Sequence, residues 1–313
     1  MSAQSLTDRE ATRGVAFGLA AYGMWGCFPL FFALFQGIPA YEVLIHRIIW
    51  SCLFLVALVT ILKRWGPIRS ALAEPRRLGR VLGCALLIAI NWGLYIYAVE
   101  TRQVFQASLG YFLTPLVNVA LGLLVLRERL ATLQRLAILL AGAAIVIQLL
   151  LLGELPWISL TLALSFGTYG LLRKQVPLDG LSGLFVETLL LLPLGLLALA
   201  WLSLAGLSHF LAAPYATLLL VASGVITALP LLAFAGAARR LRLATLGFLM
   251  YLNPSIQFFI ALLVFREPLS PIQLATFMLI WLGLALYSWS AWNERARSPL
   301  APAGAPPPQQ QQS

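Results

Sequence analysis

ASLGYFLTPLVNVALGLLVLRERL, residues 107–130, runs twenty positions without a charged side chain and then closes on Arg127-Glu128-Arg129. Roughly 20 apolar residues in a helix cross about 30 Å of hydrocarbon, so this stretch reads as a membrane span capped at one edge by charge. ATLGFLMYLNPSIQFFIALLVFREPL, residues 244–269, has the same layout. Pro115 to Glu128 is 13 residues, Pro254 to Glu267 is 13 again, and an Arg precedes each Glu.

Working outward, further apolar stretches lie near residues 14–35, 41–62, 79–99, 104–126, 131–152, 156–173, 181–203, 214–237, 243–265 and 272–291. The whole chain of 313 residues is 61% hydrophobic and 10% charged, and its mean hydropathy is +0.90. A soluble domain carries about a quarter of its positions as charge, so water cannot be the main solvent of this fold. The expected fold is all-α: a polytopic bundle of ten transmembrane helices. A count of nine is the alternative, because 131–173 is interrupted only at Gly153, Glu154 and Pro156. Gly-Glu-Leu-Pro suits a turn there. The first stretch is too long for a targeting peptide and has no small-residue cleavage site, so it is expected to stay as a helix.

The net charge of +10 has a topological distribution. Lys63, Arg64, Arg69, Arg76, Arg77 and Arg80 share one connection. Arg127, Arg129 and Arg135 flank another, Arg173 and Lys174 a third, and Arg239, Arg240 and Arg242 a fourth. All four follow even-numbered stretches, as the positive-inside bias requires if both termini are cytoplasmic. With Arg9, Arg13, Arg295 and Arg297, 18 of 21 basic residues fall on that side; Arg102 and Arg266 fall outside and Arg47 within a span. Anchoring to anionic membrane lipids accounts for these loops, and no nucleic acid is needed.

The repeated segment implies two copies of a five-helix unit. Five is odd, so the second copy enters from the opposite face and the halves are inverted, a common basis for alternating access. The expected division is a cytoplasmic segment 1–13, repeats 14–152 and 153–294, and a Pro/Gln-rich cytoplasmic tail 295–313 that cannot form an apolar core. Cargo would cross between helices 1–4 and 6–9, while the fifth and tenth would support the bundle or mediate homo-oligomer contacts.

The Arg-Glu repeats resemble those of the EamA family in the drug/metabolite transporter superfamily. AYGMWGCFPLFF (21–32), EVLIHRIIWS (42–51), NWGLYIYAVE (91–100), ASLGYFLTPLVN (107–118) and RLRLATLGFLMYLNPS (240–255) are similar to its RarD permeases. The resemblance implies a ten-helix inner-membrane permease with cytoplasmic termini, and leaves its cargo open.

Ionisable residues inside spans are costly, about 2.5–3.5 kcal/mol at mid-helix on insertion scales, and so invite functional assignment. Glu42 and His46 are four apart on one helical face, with Arg47 beside them. Glu187 lies in the inverted counterpart of that helix, and an Arg47–Glu187 pair across the central cleft is the expected partnership. His46 reads equally as a titratable relay or as a helix-orienting group, and Glu42 as an interfacial residue or a cargo contact. Asn91, Trp92, Tyr111, Asn118 and Gln257 are candidate pathway residues. Pro115 and Pro254 break their helices and are candidate hinges. Arg127, Glu128, Arg266 and Glu267 either form local salt bridges that end their helices or act as gates.

Cys27, Cys52 and Cys84 have no ligand-like spacing, so neither disulfide nor metal is expected. No phosphate loop, His-Glu-x-x-His or serine elbow occurs, and no cofactor is implied. Transport of a small organic solute down or against a gradient, with protons as a candidate coupling ion, is the expected function. Lipid translocation and a nontransporting scaffold or sensor are the alternatives.

Overall fold

The computed structural model describes residues 3–125, 132–153, 155–238, 240, 241, 246 and 249–297. It is a bundle of helices: α1 (Ala3–Gly26), α2 (Phe28–Phe32), α3 (Ala40–Ile61), α4 (Trp65–Ala73), α5 (Pro75–Glu100), α6 (Val104–Val125), α7 (Thr132–Leu152), α8 (Trp157–Lys174), α9 (Gly180–Leu204), α10 (Pro214–Ala238), α11 (Leu252–Phe259) and α12 (Pro271–Arg297). A π-helical turn, Ile260–Val264, extends α11.

Six helices among the described residues are long and apolar enough to cross a membrane by length and composition: Glu10–Phe32, Ala40–Ile61, Pro75–Glu100, Gly180–Leu204, Pro214–Ala237 and Pro271–Ser290. Arg135–Leu151 and Leu252–Val264 are shorter apolar helices. Ten spans were expected and six meet that standard. α6 and α8 nevertheless form on the fourth and sixth expected stretches. The near-continuous 131–173 stretch divides as Gly-Glu-Leu-Pro predicted. Gly153 ends α7 at φ +67°, with its N–H on the Leu149 carbonyl, and Pro156 precedes α8. A left-handed residue after the last turn is the usual role of glycine there.

Two elements depart from the sequence reading. The basic connection after α3 contains α4, whose Ile68 and Ala71 are fully buried. A nine-residue helix with one apolar stripe is too short to register as a span, yet it can lie against the ends of others. The first helix begins at Ala3, eleven residues before the first apolar stretch, and its early turns carry Glu10 paired with Arg13 and Arg240.

Packing pairs helices distant in sequence. α1 lies on α10 and α11, α3 on α9 and α10, α5 on α8 and α9, and α6 on α8 and α11. α7 and α12 pack chiefly on each other and touch the rest through α6. Close approach has a local cause at α3–α10. A Cβ on Gly224 would meet the backbone of Trp50 and Ser51, and the Ser51 hydroxyl donates to the Gly224 carbonyl at 3.3 Å. Small residues are how membrane helices bring backbones together. Leu150, Leu151, Leu197, Leu204 and Leu218 remain exposed on the outside of the bundle, as lipid-facing side chains should.

Candidate functional site

α3 carries three of the ionisable residues of the interior. Glu42 and His46 are fully buried and Arg47 is 3% exposed. The Arg47 guanidinium stacks on Trp92 of α5, 4.2 Å from the ring centroid, with Phe32 at 5.3 Å and Phe28 at 5.6 Å. Its Nε donates to the Thr227 hydroxyl of α10 at 2.8 Å. A desolvated cation over an aromatic face gains about 2 kcal/mol, far less than the cost of burying an unpaired charge.

The expected Arg47–Glu187 pair is not formed. Glu187 faces Arg173, 3.5 Å from its Nε, and accepts from the Tyr169 hydroxyl at 3.3 and 3.4 Å. The reason is helix rotation. α9 turns Glu187 toward α8, whose last turn carries Arg173, while the Arg173 Nη2 donates to the carbonyls of Leu178 and Asp179 in the connection that follows.

Around Arg47 the interior is aromatic and polar. Asn91 donates to the Leu162 carbonyl and the Ser165 hydroxyl of α8 and accepts from the Tyr111 hydroxyl at 3.2 Å. Tyr95 packs on Tyr111 and Phe32, and its buried hydroxyl has no hydrogen-bond partner. Thus Arg47, Asn91, Trp92 and Tyr111, four of the expected pathway residues, come together. Sequence reasoning missed Thr227 and marks Tyr95 only as aromatic surface beside Trp92. Nothing in their surroundings distinguishes them from interfacial tyrosines and helix-bonding threonines until the helices are rotated into place.

The remaining candidates fall elsewhere. His46 Nδ1 accepts from the Trp50 indole at 3.1 Å, its ring packs on Phe210, and its buried Nε2 has no partner. Glu42, in the first turn of α3, is fully buried. It accepts from the Ser208 hydroxyl at 2.9 Å and the His209 N–H at 2.6 Å, and meets His209 Nδ1 at 2.7 Å, tying the α9–α10 connection to α3. Gln257 is buried and donates to Asn253 and the Trp25 carbonyl. Asn118 is exposed and its Oδ1 is turned to α8, 3.3 Å from where a Cβ of Gly167 would sit.

The two prolines are not equivalent. Pro115 lies inside α6, whereas Pro254 occupies the first turn of α11, where no N–H is needed. The Pro254 carbonyl instead accepts from the Ser108 hydroxyl of α6 at 2.8 Å.

Glu267 corrects the local salt-bridge expectation. Both its oxygens cap the start of α6, accepting from the Val104 N–H at 2.7 Å and the Phe105 N–H at 2.9 Å. Arg266 beside it has a left-handed backbone, at φ +52°. Glu100 does the same for α3, accepting from the Ala40 N–H at 3.0 Å. Arg127 and Glu128 lie outside the described residues.

On the opposite edge, Asp179 caps α9 by accepting from the Ser182 N–H and hydroxyl and pairs with Arg64 at 3.4 Å. Burial works to raise its carboxyl, but the Ser182 donors and the Arg64 charge outweigh it and hold the group below the ordinary carboxylate range. A carboxyl lowered by folding stabilises the folded form above its unfolded value, and that contribution is lost as pH falls through the lowered one. Melting temperature in detergent is therefore expected to drop on acidification below about pH 4, and Asp179→Asn to flatten that drop; an unchanged slope in the variant would remove Asp179 from the linkage.

No group of three or more metal-ligating side chains occurs among the described residues. The three cysteines are free.

A multi-pass helical bundle with a buried cation, aromatic faces and hydrogen-bonding groups at its centre defines a membrane transport protein. The EamA-like transporter family model matches residues 12–150. A Pseudomonas aeruginosa protein named as the uncharacterized transporter PA0485 is 46% identical over 92% of this chain and 97% of its own. Protein RarD of Streptomyces exfoliatus is 43% identical over 93% of each. A solved crystal structure superposes with a TM-score of 0.55 at 18% identity, covering 92% of this chain and 99% of that one, which bears on the fold alone. The chain belongs to the EamA family of the drug/metabolite transporter superfamily, in its RarD group. It is a secondary transporter of small organic solutes in the inner membrane, and not an enzyme.

Proposed function

We propose that this transporter works by alternating access between two inverted halves, residues 14–152 and 153–294, of five spans each, with both termini in the cytoplasm. The observation that carries this reading is the pairing of helices. If α8–α12 repeat α1, α3, α5, α6 and α7 in order, then exchanging the halves turns α1–α10 into α8–α5, α3–α10 into α9–α5 and α6–α8 into α11–α1. Each of these exchanged pairs is a packed pair. α3–α9, α6–α11 and α7–α12 map onto themselves. Eight helices then surround the Arg47 cluster, and α7 and α12 stand outside as supports or as a surface for a second copy and for lipid.

Such a body can expose a central site to either side by rocking one half against the other. The test is cysteine accessibility from each side of the membrane at Trp92 and Tyr111, on a background in which Cys27, Cys52 and Cys84 are replaced. Reaction at both faces, each protected by cargo, is expected. Labelling from a single face under every condition would refute alternation.

Coupling to protons is a second reading, favoured by Glu187, a carboxylate only 1% exposed and held by a long ion pair to Arg173. Glu187→Gln is expected to reduce gradient-driven uptake into proteoliposomes about tenfold or more while sparing solute exchange at zero gradient. Equal loss of both modes would assign Glu187 to structure.

A further inference from the structure

Eleven acidic side chains stand against the charge of Arg47, and those whose contacts are described are engaged elsewhere. Glu42 is engaged by His209, Glu187 by Arg173, Asp179 by Arg64, Glu74 by Arg77 and Glu10 by Arg13 and Arg240. Glu100 and Glu267 cap helix starts. Asp8, Glu128, Glu154 and Glu294 lie in sequence outside the apolar stretches. Among the described residues no carboxylate comes within ion-pair distance of Arg47, and its one hydrogen bond uses Nε.

The two terminal nitrogens thus keep their donors free at the centre of the bundle. Tyr95 packs on the same Phe32 ring that the Arg47 guanidinium faces, with Tyr111 beside it, and the Tyr95 hydroxyl is an unpartnered donor at a site 3% exposed. A planar guanidinium fork matches the two oxygens of a carboxylate, and its faces are already occupied by aromatic rings. Trp92, Phe28 and Phe32 line the same place with apolar surface.

We infer that the Arg47 site binds an organic anion: a carboxylate, engaged by the Arg47 fork and the Tyr95 hydroxyl, on an apolar body of aromatic-ring size. This rests on the placement of cargo between the halves, and names the class of solute that the placement admits. A cation would face uncompensated repulsion, and a neutral solute would leave the buried charge as it is. The ligand therefore completes the site electrically as well as sterically.

The test is binding to the purified full-length protein in detergent, so that it does not depend on flux. Indole-3-acetate, phenylacetate and benzoate are compared with their amides and with tryptamine by thermal shift and calorimetry. At least one acid is expected to bind, with its amide and the amine weaker by about tenfold or more. Tyr95→Phe removes a hydroxyl that bonds nothing in the free protein, so it should fold normally and weaken the acid about tenfold. Arg47→Lys should keep part of the affinity and Arg47→Gln none.

No binding by any of the acids, amides or amines that bind equally well, or acid affinity unchanged in Tyr95→Phe would each overturn the proposal. Displacement of the acid by short-chain phosphatidylglycerol but not by phosphatidylcholine, with direct binding of the former lost in Arg47→Gln, would overturn it in favour of a lipid headgroup. Acid binding that persists while both faces fail to alternate would retire the transport cycle and leave the anion site standing.

Discussion

Gly224→Leu is expected to abolish the accumulation of folded protein. The position has no room for a side chain, because even a Cβ would meet the backbone of Trp50 and Ser51. Overpacking usually costs about 1–3 kcal/mol when side chains can rotate away. Backbone cannot, so α3 and α10 must separate. Separation breaks the Ser51–Gly224 and Arg47–Thr227 hydrogen bonds and admits lipid or water to the cluster at Trp92. Gly224→Ala should fold in part and melt lower. Size-exclusion profiles and melting temperatures of the detergent-purified variants decide the matter; a leucine variant melting within about 2 °C of the parent would show that the helices part without cost.

Glu267→Ala is expected to lower stability by about 2–4 kcal/mol, since it uncaps two buried N–H groups at the start of α6 and removes a charge-assisted contact. The contact also joins residues 162 and 163 apart in sequence, so its loss loosens α6 from the end of α11. Glu267→Gln keeps one acceptor and should lose about half as much. Urea or thermal unfolding of the three proteins measures this directly. If alanine and glutamine variants prove equally stable to the parent, the cap is ornamental and the ends of α6 and α11 are held by the rings of Phe105, Phe258 and Phe277.

Where helices begin and end was legible in the chain because lipid imposes a composition on each span and proline, glycine and charge punctuate the turns. α3, α5, α9 and α10 start or stop within about four residues of their apolar stretches. α4 was not legible. Its burial depends on Ile68 meeting a cluster containing Phe185, a partner that no local window contains. The candidate site divides on the same line. That Arg47 and Glu187 would face the interior followed from the cost of leaving charge in lipid, and both are buried; Glu42, read as interfacial or as a cargo contact, is buried as well.

Their partners did not follow, because partnership depends on the rotation of each helix about its axis. The interior helices are apolar on almost every face, so no polar stripe reveals that rotation. Glu187 could be assigned to the wrong arginine for that reason. Glu267 was misread for another: a carboxylate next to an arginine suggests a salt bridge, whereas backbone N–H groups at a distant helix start leave no mark in the sequence.

The packing of early helices on late ones has a consequence for how the protein is made. Arg47 finds its hydrogen-bond partner 180 residues later, and at about 5–20 residues per second synthesis needs roughly 10–35 s to deliver it. Through that interval the nascent first half carries an unmet positive charge in the membrane, together with backbone surfaces shaped for helices not yet synthesised. Assembly is therefore a late, concerted event in biogenesis. An arrested chain ending before α10 should be held by insertion factors or degraded, and a protein split between the halves should accumulate only when both pieces are produced together.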